Sequence, residues 1–284
     1  RMDQPKIEKM IQPSQGVHIV LERRFLKSKH AILIPQTSDG RVLFAVPWKN
    51  YVVVGTTDTQ VKKASEEPKA LKEEVDFILK NAGKYMSVKP KKDDIKSVFA
   101  GLRPLAATSN KQSTKEVSRS HKIDISPSGL ISVLGGKWTT YRKIAEDALN
   151  TAISINKLKK KKCKTERTKL FGFKRNVSWS DPMHVYGSLK KTVESLGGIN
   201  DNKSLSKNFY ISNNIIEWSI IHEMALTVED VLARRTRCVF LDSKESKRIA
   251  PIVAQKMADV LGEDDKWIDA ELKKFNKLIK NYIV

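Results

Sequence analysis

The sequence predicts an α+β fold, in which an antiparallel sheet fills the first half and a small all-α domain closes the C-terminal end. Three observations carry this. Short runs rich in β-branched residues, each bounded by turn signals, crowd residues 17–57. The connections between them are too short for the crossovers that parallel strands require. From about residue 183 onward the apolar pattern is helical and contains no strand runs.

Taken in order, VHIVL (17–21), AILIP (31–35), RVLFAVPW (41–48) and YVVVGTT (51–57) read as strands. TSDG (37–40) suits a tight turn, because Gly40 accepts positive φ at little cost. The segment PKALKEEVDFILKNAGKYM then places Leu71, Val75, Ile78 and Leu79 on one helical stripe, with Pro68 suited to a first turn. IKSVFAGLRPL (95–105), HKIDI (121–125) and LISVLGG (130–136) return to strand character, with SPSG (126–129) as the turn between the last two. TTYRKIAEDALNTAISI (139–155) is a helix with Ile144, Ala148 and Ala152 on one face.

Residues 156–182 lack a period, carry the run KLKKKKCK (157–164) and read as a lysine-rich linker. Helical segments follow near 184–196, 213–235, 244–261 and 264–281, with a break at Gly262. The expected division is 1–155, linker 156–182, and helical domain 183–284. No internal repeat is present.

Composition bounds the function classes. The chain has 284 residues, 40% hydrophobic and 30% charged, which is ordinary for a globular protein with a sizeable core. No apolar run approaches the ~20 residues that cross a bilayer, and no basic-then-apolar leader opens the chain. The polar opening, RMDQPKIEKMIQ, starts at Arg1 and reads as a fragment boundary or a processed end. Two cysteines, Cys163 and Cys238, stand far apart without CxxC spacing, so a disulfide framework or zinc site is not expected and a reducing, cytoplasmic compartment fits. His30, His121, His184 and His222 show no metal-ligand spacing, and no metal is assigned.

Charge is the unusual feature. With 53 basic and 32 acidic residues the net charge is +21, a field that favours polyanions, anionic membrane surfaces or small anionic substrates. No zinc-finger spacing or aromatic-basic signature accompanies the lysines. A solvated lysine surface is the preferred explanation, and nucleic acid is not an expected partner.

Chemistry-bearing residues concentrate between 101 and 142. GLRPL contains Arg103, VSRSHKI contains Arg119 and His121, and GGKWTTYRK contains Lys137. An arginine fork grips phosphate at two points, and lysine supplies a compact point charge. Gly135 and Gly136 follow an apolar strand and precede a helix. Such a junction presents free N–H groups and the positive helix end to an anion or a polarised ring. His18, inside GVHIVL, shares a strand face with Gly16 and Val20; it reads either as a core histidine or as a general base for a hydroxyl proton.

The strings TSDGRVLFAVPW, VGTTDT, AGLRPL, SRSHKIDISPSGLISVLGGKWTTYRKIAEDA and HEMALTVEDVLARRTR closely resemble the FAD-dependent glycerol-3-phosphate dehydrogenases. The match runs in order from about Val17 to Ala148, thins across 156–182 and resumes from about Ile215. The resemblance implies a glutathione-reductase-like FAD-binding fold whose antiparallel sheet is the substrate domain, with FAD as cofactor. It implies His18 and Arg103 as catalytic residues and Arg119 and Lys137 as substrate-binding residues. It also implies that Gly135, Gly136, Trp138, Thr139 and Thr140 contact the flavin. The implied substrate is sn-glycerol 3-phosphate and the implied acceptor a membrane quinone, reached from the inner face by peripheral contact with anionic lipid.

One departure accompanies the resemblance. None of the 13 glycines builds the GxGxxG turn that cradles the FAD pyrophosphate, and the family's N-terminal arginine–tyrosine substrate clamp has no counterpart. The chain is therefore expected not to turn over alone. Two rival readings share its features: a glycerophosphate oxidase that passes electrons to oxygen, and a non-catalytic basic module for anions or nucleic acid.

Overall fold

The structure, a computed structural model, describes residues 3–106 and 120–284. In chain order the strands are β1 (Ile11–Glu22), β2 (Ile32–Ile34), β3 (Leu43–Trp48), β4 (Tyr51–Gly55), β5 (Thr59–Gln60), β6 (Ser97–Ala106), β7 (His121–Ile125) and β8 (Ile131–Gly135). The helices are α1 (Lys72–Ala82), α2 (Tyr141–Ile155), α3 (Lys190–Glu194), α4 (Asn213–Glu223), α5 (Cys238–Leu241), α6 (Ser243–Leu261) and α7 (Asp265–Ile279). The chain divides into two compact units. The first comprises Arg1–Gly16, Thr57–Pro68 and Ala100–Lys169, and the second Val17–Thr56, Lys69–Phe99 and Leu170–Val284.

The second unit holds the antiparallel sheet and the C-terminal helices. β4 pairs with β1 in the register His18 to Gly55 through Glu22 to Tyr51, then with β3, and β3 pairs with β2. Within β1, Val17, Ile19, Val20 and Leu21 are all fully buried, the mark of a strand covered on both faces. β3 alternates instead: Leu43 and Ala45 face inward while Phe44, Val46 and Trp48 are exposed. Val20 and Tyr51 share one core with Ile216, Val231, Leu232, Val253, Met257 and Phe275, so strands and helical tail bury the same apolar surface. Polar ties reinforce this. The Ser97 hydroxyl donates to the Val239 carbonyl at 2.7 Å, and the Tyr51 hydroxyl donates to the Asp242 carboxylate at 3.1 Å.

The helix boundaries follow caps. Asp242 and Asp264 accept backbone N–H bonds from Glu245 and Trp267, each at 3.0 Å, which starts α6 and α7. Gly262, at φ 74°, ends α6 where the sequence predicts a break. Three helical expectations change. The segment near 184–196 opens as a 3-10 turn over His184–Leu189, interrupted at Gly187 (φ 53°), and only the short α3 is α-helical. The segment 213–235 is not one helix: α4 stops at Met224, which adopts φ 58°, and a π-helical turn covers Asp230–Arg235. The Asp230 carboxylate accepts the N–H groups of Leu226 and Thr227, at 3.1 and 3.0 Å, and so caps a new start that competes with continuation. Pro68 is not in a first turn, because the Glu74 carboxylate accepts the Leu71 N–H at 3.0 Å and fixes the start of α1 at Lys72. Val75, Ile78 and Leu79 are buried as the stripe predicts, and Leu71 is exposed.

The first unit holds β5 paired with the opening of β1, and the β7–β8 hairpin, in register from His121 opposite Gly135 to Ile125 opposite Ile131. Its turn closes with the Gly129 N–H on the Ser126 carbonyl at 2.9 Å, with Gly129 at φ 88°. Between α2 and the 3-10 turn at His184–Leu189, residues 156–182 form turns without helix or strand. No helix among the described residues is long and apolar enough to cross a membrane.

Candidate active site

In the first unit Arg103 lies on β6, and its guanidinium lies across Gly16 of β1. A Cβ built on Gly16 would sit 2.6 Å from Arg103 Cζ. Arg103 Nη1 donates to the Thr57 carbonyl at 3.2 Å and stands 3.9 Å from Asp58 Oδ1. Asp58 also accepts a hydrogen bond from the buried Ser14 hydroxyl. At 3.9 Å the carboxylate contributes field more than a bond, so the carbonyl sets the fork's direction. Thr57, Asp58 and Ser14 escaped the reading of candidate residues from the sequence. The available signal was the dipeptide TD immediately after a strand, which is common in ordinary turns.

Gly135 and Gly136 adopt φ 68° and 86°, two consecutive left-handed residues that only glycine takes without strain. A Cβ on Gly136 would lie 2.6 Å from Ile144 Cδ1, so this glycine also lets α2 pack closely against the turn. Trp138–Thr140 then forms a 3-10 turn, in which the Thr140 N–H and hydroxyl both donate to the Lys137 carbonyl at 3.0 Å. Lys137, Trp138, Thr139 and Thr140 are all exposed, Trp138 at 88%. The strand–Gly-Gly–helix junction expected from the sequence is therefore present, with its polar groups outward.

His121, one strand away in sequence, is engaged elsewhere. Its Nε2 lies 3.1 Å from Asp147 Oδ2 on α2, and Asp147 also accepts from Lys143 Nζ at 2.7 Å. The Lys143 hydrogen bond, with help from His121, holds the Asp147 carboxyl below the usual carboxylate range.

His18 belongs to the second unit. Its ring lies across Gly55, its register partner on β4, where a Cβ would come 2.7 Å from His18 Cγ. The ring stacks on Phe99 at 5.1 Å with 12° between planes, and Phe99 meets Phe240 edge-on at 5.4 Å. His18 is only partly buried. An imidazole clamped between a glycine and an aromatic face has few rotamers left, which suits a group that must present one nitrogen in a fixed direction. Arg119 lies outside the described residues. Among the described residues no group of three or more histidine, cysteine or acidic side chains assembles a metal site.

The described site residues thus give an arginine over a glycine, a histidine stacked on an aromatic ring, and a double-glycine strand–helix junction. The sequence profile described as FAD dependent oxidoreductase matches residues 1–142, half the chain, and the chain belongs to that family. A second profile, the C-terminal domain of alpha-glycerophosphate oxidase, matches residues 131–268. The chain is 32% identical over 305 residues to the mitochondrial glycerol-3-phosphate dehydrogenase of Mesocricetus auratus, covering 98% of this chain and 41% of that protein. It is 33% identical over 308 residues to the probable mitochondrial glycerol-3-phosphate dehydrogenase of Dictyostelium discoideum, covering 99% of this chain and 48% of that protein. The crystal structure of the glycerol-3-phosphate dehydrogenase from Bacillus halodurans complexed with FAD matches with a TM-score of 0.76 and 25% identity, over 96% of this chain and 58% of that one. The chain thus spans less than half the length of these two curated relatives.

Proposed function

We propose that the chain supplies the substrate wall and the flavin-contacting junction of an FAD-dependent glycerol-3-phosphate dehydrogenase, which oxidises sn-glycerol 3-phosphate to dihydroxyacetone phosphate. The observation that carries this is the Arg103 guanidinium held over Gly16 by the Thr57 carbonyl. A glycine opposite an arginine fork removes the side chain that would push the fork aside, which is useful where the fork must meet a ligand. The fold reading that accompanies it is a glutathione-reductase-like FAD domain whose antiparallel sheet faces the substrate.

The double-glycine junction fits the ring end of FAD. Gly135 and Gly136 carry no Cβ and adopt consecutive left-handed conformations, and Lys137 through Thr140 expose their polar groups beside them. Gly135, Gly136, Trp138, Thr139 and Thr140 would hold the isoalloxazine. When bound, FAD supplies the hydride acceptor. In this reading His18 removes the C2 hydroxyl proton, and Phe99 and Gly55 keep its ring in place for that transfer. Arg103 orients the hydroxyl and stabilises the developing alkoxide. Lys137 and Arg119 neutralise the phosphate, and fixing that end of the substrate fixes the reacting carbon as well.

The family resemblance favours a quinone as electron acceptor and a peripheral position on the inner, cytoplasmic face of an anionic membrane, toward which a net charge of +21 would draw the protein. The match to an oxidase C-terminal domain supports a second reading, in which oxygen is the acceptor. Steady-state assays of the full-length flavoprotein with sn-glycerol 3-phosphate test both. Dye or quinone reduction without oxygen consumption supports the dehydrogenase; stoichiometric peroxide supports the oxidase; no oxidation of the substrate by either route refutes the shared reading.

A further inference from the structure

Inside the second unit, away from His18, a cavity of about 670 Å³ opens between the β3–β4 turn and the helical tail. Its wall carries four cations, among them Lys49 and Arg237, together with Trp48, Trp179, His184 and Phe209. Arg237 Cζ lies 5.9 Å from the centre of the Trp48 ring, and Lys49 Nζ lies 6.0 Å from that of Phe209. Trp179, 81% exposed, lies 5.1 Å from the His184 ring, centre to centre, with the planes tilted by 50°.

Two further facts distinguish these cations from the general excess of lysine and arginine. The other arginines on the wall, Arg234 and Arg235, are paired with Glu229, Asp230 and Glu223. Lys49 and Arg237 form no ion pair among the described residues. Four described non-glycine residues have positive φ, and two of them are these: Lys49 at 54° and Arg237 at 61°. Lys49 is the first of two residues linking Trp48 to Tyr51, a place where a hairpin with positive φ ordinarily carries glycine. A lysine there costs backbone energy that a glycine would not, and strain of this kind collects at ligand clamps and active sites. Partial desolvation of its ammonium, together with the field of Arg237, pulls the Lys49 pKa below the usual lysine value, although the residue as a whole is exposed.

We propose that this cavity binds a nucleoside phosphate, with the phosphate on Lys49 and Arg237 and the base stacked on Trp179. The volume lies within the range of small-ligand clefts, roughly 300–1,000 Å³, and is too confined for a duplex or a folded partner. Two cations on one wall, neither with an acidic partner among the described residues, match a phosphate, and an exposed indole offers the flat face that bases stack upon. A bare polyol phosphate would use the cations and leave the aromatic wall idle.

The test uses the full-length protein loaded with FAD, so that the dinucleotide site is filled. ADP is titrated by calorimetry and by quenching of tryptophan fluorescence, with inorganic phosphate and sn-glycerol 3-phosphate as separate arms. Saturable ADP binding is expected, with each of the other two binding at least about tenfold more weakly. Trp179→Ala, at an exposed position, and Arg237→Gln should each weaken ADP about tenfold. Lys49→Gly relieves the positive φ and should melt no lower than the parent while losing ADP affinity. Absence of ADP binding at millimolar concentration overturns the proposal. So does equal affinity for inorganic phosphate, or ADP binding that all three variants leave intact.

Discussion

The Arg103 guanidinium occupies the space that a side chain at position 16 would need, with Cζ 2.6 Å from the place of a Gly16 Cβ. The contact is with the far end of a flexible side chain, so an added methyl displaces the fork more than it strains the backbone. Gly16→Ala in the full-length enzyme should lower kcat/KM for sn-glycerol 3-phosphate about tenfold or more, with little loss of Tm. Unchanged kcat/KM would remove Arg103 from the active site.

A parallel case is made by Gly55, whose absent Cβ leaves room for the His18 ring. Gly55→Ala should push the ring off Phe99. His18→Ala should depress kcat at least as much as kcat/KM, since a group acting in the transition state lowers both. If His18→Ala and Gly55→Ala both leave kcat within about twofold, a core histidine is the better description.

The proposed site assigns phosphate recognition and proton transfer to different residues. Lys137→Ala and Arg119→Ala should raise KM by about tenfold or more with a smaller change in kcat, because removing a remote anchor chiefly weakens binding. Kinetics with glycerol in place of the phosphate ester provide the control: the same substitutions should then make little difference.

The two thiols should behave oppositely. Burial pushes the Cys238 pKa up to about 12, whereas Cys163 is exposed on the lysine-rich stretch. At pH 8 a disulfide reagent should label Cys163 and spare Cys238 until the protein unfolds, as peptide mapping would show. Rapid native labelling of Cys238 would contradict its buried position.

Acid sensitivity follows from paired carboxylates. Hydrogen bonds from Lys96 and Arg24 hold the Glu22 carboxyl below the ordinary range, and Arg248 does the same for Glu245. A depressed folded pKa favours the fold above the unfolded value, about 4.3 for glutamate, and this benefit is lost as pH falls through the folded value. Tm should therefore decline below about pH 4.3, and Glu22→Gln should flatten part of that decline.

Much of the architecture was legible in one dimension. A short run bounded by turn signals marked β3, the stripe Val75, Ile78 and Leu79 marked α1, and Gly262 marked the end of α6, because each is a local preference that neighbours reinforce. The junction at Gly135 and Gly136 was legible too, since positive φ is a demand that few residues satisfy. Hidden from the sequence were the stop at Met224 and the restart capped by Asp230, which turn on whether one carboxylate reaches two N–H groups. So was the company that Arg103 keeps. Ser14, Gly16, Thr57 and Asp58 come from two separate stretches of chain, and only closure of the fold brings them to its guanidinium. Local sequence sets backbone preference within a few residues; which side chains share a site depends on distances through space, and these exist only once the chain has folded.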